Sequence, residues 1–475
     1  MSVCLRRELE GELDGLMVAH CERQKTAGVP ASAAFLVGAG LEEGDWAAVL
    51  APVPLPEIVG QEDKLAAAKV VGRKPLKPAG ECLDGEWVLQ QGKQLLRSLP
   101  GGLTIKGLVL MGERGALQDL QSGLLKALRA LHKAARRMSW SLALDQYAGR
   151  MYLVSMEAPR GRPTGILLEA ETGTTSPARV TFQAQRWLNF RSRFRLPGFL
   201  RGHLEESQEM PGNFQKLVLH AFAPLATALR DARALFDDEE KEGTEAMEAK
   251  APKRSRASAE LAETTGPCYS VDLLLPVHES GNLECKRIGP GVRLSASGCI
   301  EAYAFLPAKA TWAQASAAVK EDILRSFYTR LELHYEEMEV VEEGEDAWSM
   351  GDLVHEFPRR VVLGPEAACQ FLGLPVPITD YIFKGDDMAD IAENVGSLLG
   401  LEALPPEALE AAEESLPEIS LLEATPSMVD MVGAGGLAAG SASSEAGNRN
   451  LLIGLFSLLV AILAAILYLL LDHAS

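Results

Sequence analysis

The sequence predicts an α+β protein in which two blocks of mixed helix and strand precede an acidic spacer and a single C-terminal transmembrane helix. Helix-period and strand-period apolar patterns alternate through residues 1–158 and again through residues 266–400. A stretch of charged and small residues separates the two blocks. An uncharged apolar run lies near the end of the sequence, after a segment without Lys or Arg.

These changes in composition predict six parts. They are an α/β domain over 1–158, a divergent mixed segment over 159–236, a disordered charged linker over 237–265, a second α+β domain over 266–400, an acidic, Gly/Ala/Ser-rich spacer over 401–449, and a transmembrane anchor over 450–472.

In the first block, two apolar runs separated by the polar turn LEEGD predict a β-hairpin. Leucines recurring at three- and four-residue intervals after position 117 predict an amphipathic helix. The predicted elements of this block are helices over Ser2–Lys25, Gly85–Leu99 and Leu117–Arg137, and strands over Ala33–Gly38, Trp46–Leu50, Thr104–Met111 and Tyr152–Met156.

The second block has the same kinds of pattern. Apolar residues on one face predict a long amphipathic helix over Ser316–Met338. The remaining predictions are a helix over Asp387–Leu399 and strands over Val271–Val277, Gly298–Phe305, Phe357–Leu363 and Tyr381–Phe383. Before this block, Arg179–Phe194 alternates basic with apolar residues, which predicts a strand with one basic face.

The run from Leu451 to Leu471 has 21 residues and no charge, which is long enough to cross a hydrocarbon core of about 30 Å. A buried core helix is the alternative interpretation. Without an apolar N-terminal signal, the run predicts a single-pass tail anchor that leaves the bulk of the chain in the cytosol, with the endoplasmic reticulum as the default membrane. We expect the lipid bilayer to contact the anchor leucines Leu451, Leu455, Leu459, Leu463, Leu467 and Leu471.

The sequence predicts no catalytic residue, no metal ligand and no cofactor. The eight histidines form neither HExxH nor HxH, and no P-loop or GxSxG motif is present. Seven widely spaced cysteines indicate free thiols in a reducing compartment. A formal net charge of −19 argues against nucleic acid as a partner.

Two alternatives stay open. Cys299 with a distant histidine would make the chain a membrane-tethered cysteine hydrolase. The segment Arg186–Arg201 would make it a binder of lipid or nucleic acid, although a solvated strand face is the simpler interpretation.

Several stretches together resemble the odr-4-like family. GEWVLQQGKQLLRSLPGGLTIKGLVLMG resembles its signature of an EW helix, an LPGG turn and an apolar strand. AAVKEDILRSF, FPRRVVLGP and DYIFKGDD follow in the family's order. The family-motif positions in this sequence are Trp87, Leu99, Pro100, Gly101, Gly102, Lys320, Asp322, Asp380 and Tyr381.

The resemblance implies a non-enzymatic adaptor of the endoplasmic reticulum membrane. Such a protein would assist the folding, exit or trafficking of polytopic membrane receptors and recruit a ufmylation-specific cysteine protease through a heterodimer of MPN-like domains. It also implies an MPN-like (JAMM-type) N-terminal domain. The zinc pattern HxHx(10)D of active members of that class is missing after the strand that ends at Gly112, which implies a metal-less pseudoenzyme.

Overall fold

A computed structural model of the chain has an α+β fold, with seven α-helices and four sheets in the part that it describes. Residues Met1–Glu423 belong to one compact unit. The described residues are 2–41, 44–54, 83–138, 149–159, 161–196, 198–201, 212–247, 268–276, 293–342, 354–401, 403–413 and 418–422.

The helices confirm four of the predicted helical segments to within a few residues. Asp387 shows why one of them starts where it does, because its carboxylate accepts a hydrogen bond from the amide of Ala389 at 3.1 Å and so caps the first turn. The helices are α1 Leu9–Ala27, α2 Gly85–Ser98, α3 Arg114–Met138, α4 Gly212–Asp231, α5 Trp312–Glu342, α6 Pro365–Leu372 and α7 Met388–Leu399.

The strands include the predicted hairpin and the predicted buried strands of both blocks. They are β1 Ser2–Arg6, β2 Ala31–Leu41, β3 Gly44–Pro52, β4 Thr104–Gly112, β5 Arg150–Glu157, β6 Thr164–Glu169, β7 Thr175–Gln183, β8 Trp187–Arg195, β9 Gly198–Arg201, β10 Arg233–Phe236, β11 Glu239–Glu240, β12 Cys268–Leu274, β13 Arg293–Ser297, β14 Cys299–Pro307, β15 Val354–Glu356, β16 Arg359–Leu363, β17 Thr379–Ile382, β18 Leu409–Ala411 and β19 Glu418–Leu422.

The first seven strands form a closed sheet in the order β1-β3-β2-β4-β5-β6-β7. The prediction of one helix from Ser2 to Lys25 is wrong at its start, since Ser2–Arg6 is a strand parallel to both β3 and β7. Val3 and Leu5 are both fully buried, so this short segment follows the two-residue period of a strand. Its partners lie far away in sequence, which is why local pattern did not reveal it.

Helices cover the two faces of the closed sheet. On one face, Leu9, Leu13 and Met17 of α1 pack against apolar residues of β1, β3, β4 and β5. On the other face, α2 and α3 contribute the leucines that the helical period predicted, among them Leu95, Leu124 and Leu128. Strands β2 and β4 are therefore buried on both sides, which accounts for their nearly continuous apolar sequence.

Three smaller sheets follow. Their orders are β11-β10-β12-β8-β14, β15-β19-β13-β9 and β17-β16-β18. The predicted single strand Arg179–Phe194 is in fact two strands, β7 and β8, which belong to different sheets. Residues 184–186 between them are not part of a strand, and they allow the chain to leave the closed sheet.

Two segments predicted to lack structure are folded where the structure describes them. In the predicted linker 237–265, Glu239–Glu240 form β11 and Met247 is 3% exposed. In the predicted spacer 401–449, β18 and β19 pair with other strands and Glu413 is 3% exposed. Long-range pairing and one buried ion pair compensate for a composition that is typical of a flexible segment.

The predicted domain boundaries at 158, 236, 265 and 400 remain predictions, although contacts within Met1–Glu423 cross several of them. Among the helices in the described part of the chain, none is both long enough and apolar enough to span a bilayer. The predicted anchor over 450–472, with all six of its named leucines, lies outside the described residues.

Candidate functional site

The LPGG turn joins α2 to β4 and is wedged between β14 and α5. The amide of Gly101 donates to the carbonyl of Tyr303 at 2.9 Å, and its own carbonyl accepts from Phe305 at 2.9 Å. A Cβ at Gly101 would lie 1.9 Å from the carbonyl oxygen of Ala318, so no larger residue fits without movement of α5. Gly102 has a φ of +81°, a backbone conformation that favours glycine.

Asp322 of α5 lies fully buried beneath this turn. Its carboxylate accepts from the amides of Gly101 at 3.1 Å and Tyr303 at 2.8 Å. It also forms a bidentate pair with Arg360 of β16, at 2.5 Å and 3.0 Å. Burial alone lowers the pKa of Arg360, but the Asp322 carboxylate more than reverses this effect and the pKa is raised.

Arg360 extends the network towards two more elements. Its guanidinium donates to the carbonyl of Glu301 and to the hydroxyl of Thr379, both at 3.0 Å. That hydroxyl in turn donates to the carbonyl of Ser98 at the end of α2, at 3.3 Å. One arginine thus connects β14, β17 and α2 around the α5 carboxylate.

A second buried pair lies beside the first. Arg330 of α5 contacts both carboxylate oxygens of Glu413, at 2.8 Å and 2.5 Å. Glu413 also accepts from the amides of Glu301 at 3.1 Å and Arg360 at 3.0 Å. Because Glu413 comes from the segment predicted to be a flexible spacer, this pair holds the end of the compact unit onto α5.

Arg325 of α5 satisfies the carbonyls of the LPGG region. It donates to the carbonyl oxygens of Leu99 at 3.1 Å and Pro100 at 3.3 Å, and it pairs with Glu321 at 2.5 Å. The turn would otherwise bury acceptors without donors, which costs about 1–3 kcal/mol for each group.

Lys320 of α5 lies outside this network and contacts the end of α4. Its ammonium donates to the carbonyls of Arg230 at 3.0 Å and Ala232 at 2.6 Å, at the end of α4. Burial lowers the pKa of Lys320. These contacts satisfy terminal helix carbonyls, so this lysine joins two helices.

The pair Asp380–Tyr381 lies on β17, next to the network. Asp380 accepts from the amide of Tyr381 at 2.9 Å, and burial raises the pKa of its carboxyl to about 6. The Arg330 guanidinium lies 5.3 Å from the centre of the Tyr381 ring, a cation–π contact.

The structure therefore brings together most of the positions chosen from the motifs. Leu99, Pro100, Gly101, Gly102, Asp322 and Tyr381 surround one buried charge network. Trp87 lies elsewhere, with its indole N–H donating to the carbonyl of Pro54 at 2.8 Å. The partners that complete the network, Arg330, Arg360 and Glu413, were missed. The sequence signal that could have revealed these partners is the charged residues of α5, which lie between apolar ones. Over 317–331, α5 is buried on nearly all sides and not on one face only, so these charged residues lie in the interior.

A second buried charge cluster, also missed from the sequence, lies in the closed sheet. Asp45 is fully buried and pairs with Lys106 at 2.8 Å and Arg150 at 3.2 Å. The hydroxyl of Tyr152 donates to the same carboxylate at 2.8 Å, and burial followed by the Asp45 charge raises the pKa of Tyr152. The cluster pairs charges of opposite sign, as the network around α5 does.

The residues of the two alternative hypotheses, a cysteine hydrolase and a binder of lipid or nucleic acid, lie in different surroundings. Cys299 is half-buried at the start of β14, opposite Arg195 in the strand register. Arg191 and Arg193 lie on an exposed face of β8 and share the carboxylate of Glu301, at 3.0 Å and 3.5 Å. Within the described ranges, no three His, Cys, Asp or Glu side chains are grouped so that they could hold a metal ion.

Comparison with known proteins identifies the family. The family model described as "ODR4-like: Odorant response abnormal 4-like" matches residues 35–410. Odorant response abnormal protein 4 of Caenorhabditis elegans is 24% identical over 462 residues, covering 94% of this chain and 88% of that protein. Protein odr-4 homolog of Xenopus tropicalis is 22% identical over 377 residues, covering 78% of each chain.

Among solved structures, the chain is similar to one described as the crystal structure of UfSP from C. elegans. The identity is 9% and the TM-score is 0.34, with 85% of this chain and 58% of that chain covered. A likeness at this level does not define the fold any further.

Proposed function

Because the chain belongs to the ODR4-like family, we propose that it is a non-enzymatic adaptor anchored in the endoplasmic reticulum membrane by Leu451–Leu471. It assists the folding, exit or trafficking of polytopic membrane receptors and recruits a ufmylation-specific cysteine protease. Its bulk faces the cytosol. Tethering raises the local concentration of a partner to about the millimolar range, which is how an adaptor without chemistry of its own acts.

The observation that carries this proposal is the buried network to which the motif positions belong. Gly101 and Asp322 belong to a buried network in which the carboxylates and guanidiniums are paired with each other and with backbone groups. Reactive groups need access to a substrate, whereas these groups hold distant segments in a fixed arrangement. The family motifs therefore support a scaffold rather than a reaction centre.

The packing of the closed sheet and the residues that follow β4 support the proposed MPN-like, metal-less character of the N-terminal domain. A closed sheet packs against α1 on one face and against α2 and α3 on the other. At the end of β4, where the zinc-binding histidines of active members would follow, the chain has Glu113 and Arg114. Glu113 accepts a hydrogen bond from Gln24 at 2.7 Å, and the adjacent arginine would oppose a metal ion. These residues do not fit a zinc site, which favours a domain that binds partners.

Deletion of Leu451–Leu471 tests the anchor and the recruitment together. We expect the truncated protein to move from the membrane fraction to the cytosol and the protease to move with it, as followed by alkaline extraction and immunoblotting. A matched control replaces the run with an unrelated tail anchor of the same length, which should restore both proteins to the membrane. A protease that stays on the membrane in the absence of this protein would contradict recruitment.

A further inference from the structure

The outer edge of β14 is covered by two side chains near its start. In the described part of the chain, β14 is the last strand of the sheet β11-β10-β12-β8-β14. The amide of Glu301 on this edge donates to the carboxylate of Glu413 at 3.1 Å, and its carbonyl accepts from the guanidinium of Arg360 at 3.0 Å. Both main-chain groups of Glu301 that a neighbouring strand would bond are therefore satisfied by side chains.

Asp322 and the LPGG turn cover the next residues of the same edge. The amide of Tyr303 donates to the carboxylate of Asp322 at 2.8 Å. The carbonyl of Tyr303 and the amide of Phe305 bond the amide and the carbonyl of Gly101, both at 2.9 Å. Alternate residues of β14 are thus covered by separate parts of the chain. An uncovered strand edge pairs readily with other extended chains, so this cover keeps a reactive edge closed.

The most C-terminal part of the cover is the segment Leu409–Glu413, which we call the strap. Its first three residues form β18, and the amide of Ala412 donates to the carbonyl of Arg360 at 3.1 Å. Leu409 is 7% exposed and Glu413 is 3% exposed. Because the carboxylate of Glu413 pairs with the buried Arg330, detachment of the strap would leave a buried guanidinium without its counter-charge.

Arg360 connects the strap to the LPGG turn. Its amide donates to Glu413 at 3.0 Å, while its guanidinium donates to Asp322 at 2.5 Å and 3.0 Å. Asp322 also accepts from the amide of Gly101 at 3.1 Å. A movement of Arg360 after loss of the strap would therefore shift the partner of the carboxylate that holds the turn.

We infer that the strap and the LPGG turn open and close together, and that they form one latch over the edge of β14. Glu413 holds the strap, Arg360 joins it to Asp322, and Asp322 holds the turn. The open latch would present main-chain groups of β14 to an added extended segment, which is how strand addition begins. Contact alone does not establish such coupling, so the test measures whether the two parts open with the same free energy.

The first measurement is hydrogen–deuterium exchange of the full chain of natural sequence at increasing, sub-denaturing urea, with resolution of single amides. The four latch amides are those that donate to the two carboxylates, namely those of Gly101, Glu301, Tyr303 and Arg360. We expect them to share one opening free energy that lies below that of Val109 in the closed sheet. Four different values, or a common value equal to that of Val109, would overturn the inference.

The second measurement compares Glu413→Gln with Glu410→Gln, which makes the same change at an exposed position of the strap. We expect Glu413→Gln to speed exchange of all four latch amides at least roughly tenfold, including the two whose acceptor is the unchanged Asp322. Glu410→Gln should leave their exchange as it is. Faster exchange only at Glu301 and Arg360 would show that the strap opens alone and would overturn the coupling. If Glu413→Gln does not fold, the urea series on the natural sequence still decides.

Discussion

The closed sheet and the network around α5 both bury charge, but they do so for different reasons. In the closed sheet, one buried carboxylate, Asp45, and its basic partners lie among apolar residues whose strands show their period in the sequence. Around α5, two bidentate pairs and an i,i+4 pair belong to a network whose hydrogen bonds join residues up to 281 positions apart. The sheet is stabilised mainly by apolar burial, and the network determines which distant segments meet.

Removal of one partner from the α5 network should produce the largest effect. Arg360→Met leaves the Asp322 carboxylate buried with only two amides as donors, and we expect the free energy of unfolding to fall by about 3–5 kcal/mol in a urea titration. The double variant Asp322→Asn/Arg360→Met removes the unpaired charge and should lose less than Arg360→Met alone. A loss below about 1 kcal/mol for the single variant would show that the network does not stabilise the fold.

Gly101→Ala tests whether the LPGG turn needs its close approach to α5. The added methyl would meet the carbonyl of Ala318, so we expect a loss of about 2–4 kcal/mol in the same urea titration. Gly123→Ala on α3 is the control, because its Cβ would meet no atom within 4 Å. That variant should gain about 0.5–1 kcal/mol from helix propensity. Equal effects at the two glycines would contradict a packing role for the turn.

Asp45→Asn is the corresponding change in the closed sheet. It leaves Lys106 and Arg150 without their carboxylate, but the side chain of Arg150 is 19% exposed and can turn towards water. We therefore expect a loss of about 2–3 kcal/mol, smaller than for Arg360→Met. Tyr152→Phe, which removes only one hydrogen bond to Asp45, should lose about 1 kcal/mol. A larger loss for Asp45→Asn than for Arg360→Met would reverse the comparison between the two regions.

Asp380→Asn should have a smaller effect than Asp45→Asn, visible as a pH dependence of stability. The native carboxyl has a pKa of about 6, above its ordinary value of 3.8, so the native state binds the proton more tightly than the unfolded chain does. Its contribution to stability is present below about pH 4 and is lost as the pH rises through 6. Between pH 4 and pH 7, the free energy of unfolding of the natural sequence should fall by about 1–2 kcal/mol more than that of the variant. Parallel curves for the two proteins would contradict the assignment.

Periodicity predicted the elements whose environment repeats along the chain. The leucines of α3 and the apolar runs of β2, β4 and β14 identified those elements to within a few residues. Strand β1 and the strands after residue 400 were missed, because each is short and depends on partners far away in sequence. The family motifs marked one half of the buried network, Gly101 and Asp322, without indicating that Arg360 and Glu413 complete it.

The sequence by itself determined the α+β class, the main helices and buried strands, the family, and the positions of the turn glycines. These depend on local conformation and on the spacing of apolar residues, both of which can be read from neighbours along the chain. Only the tertiary structure decided that acidic Glu413 is buried against Arg330. A charge is stable in the interior only when its partner is present, and the partners here come from segments that the fold alone brings together.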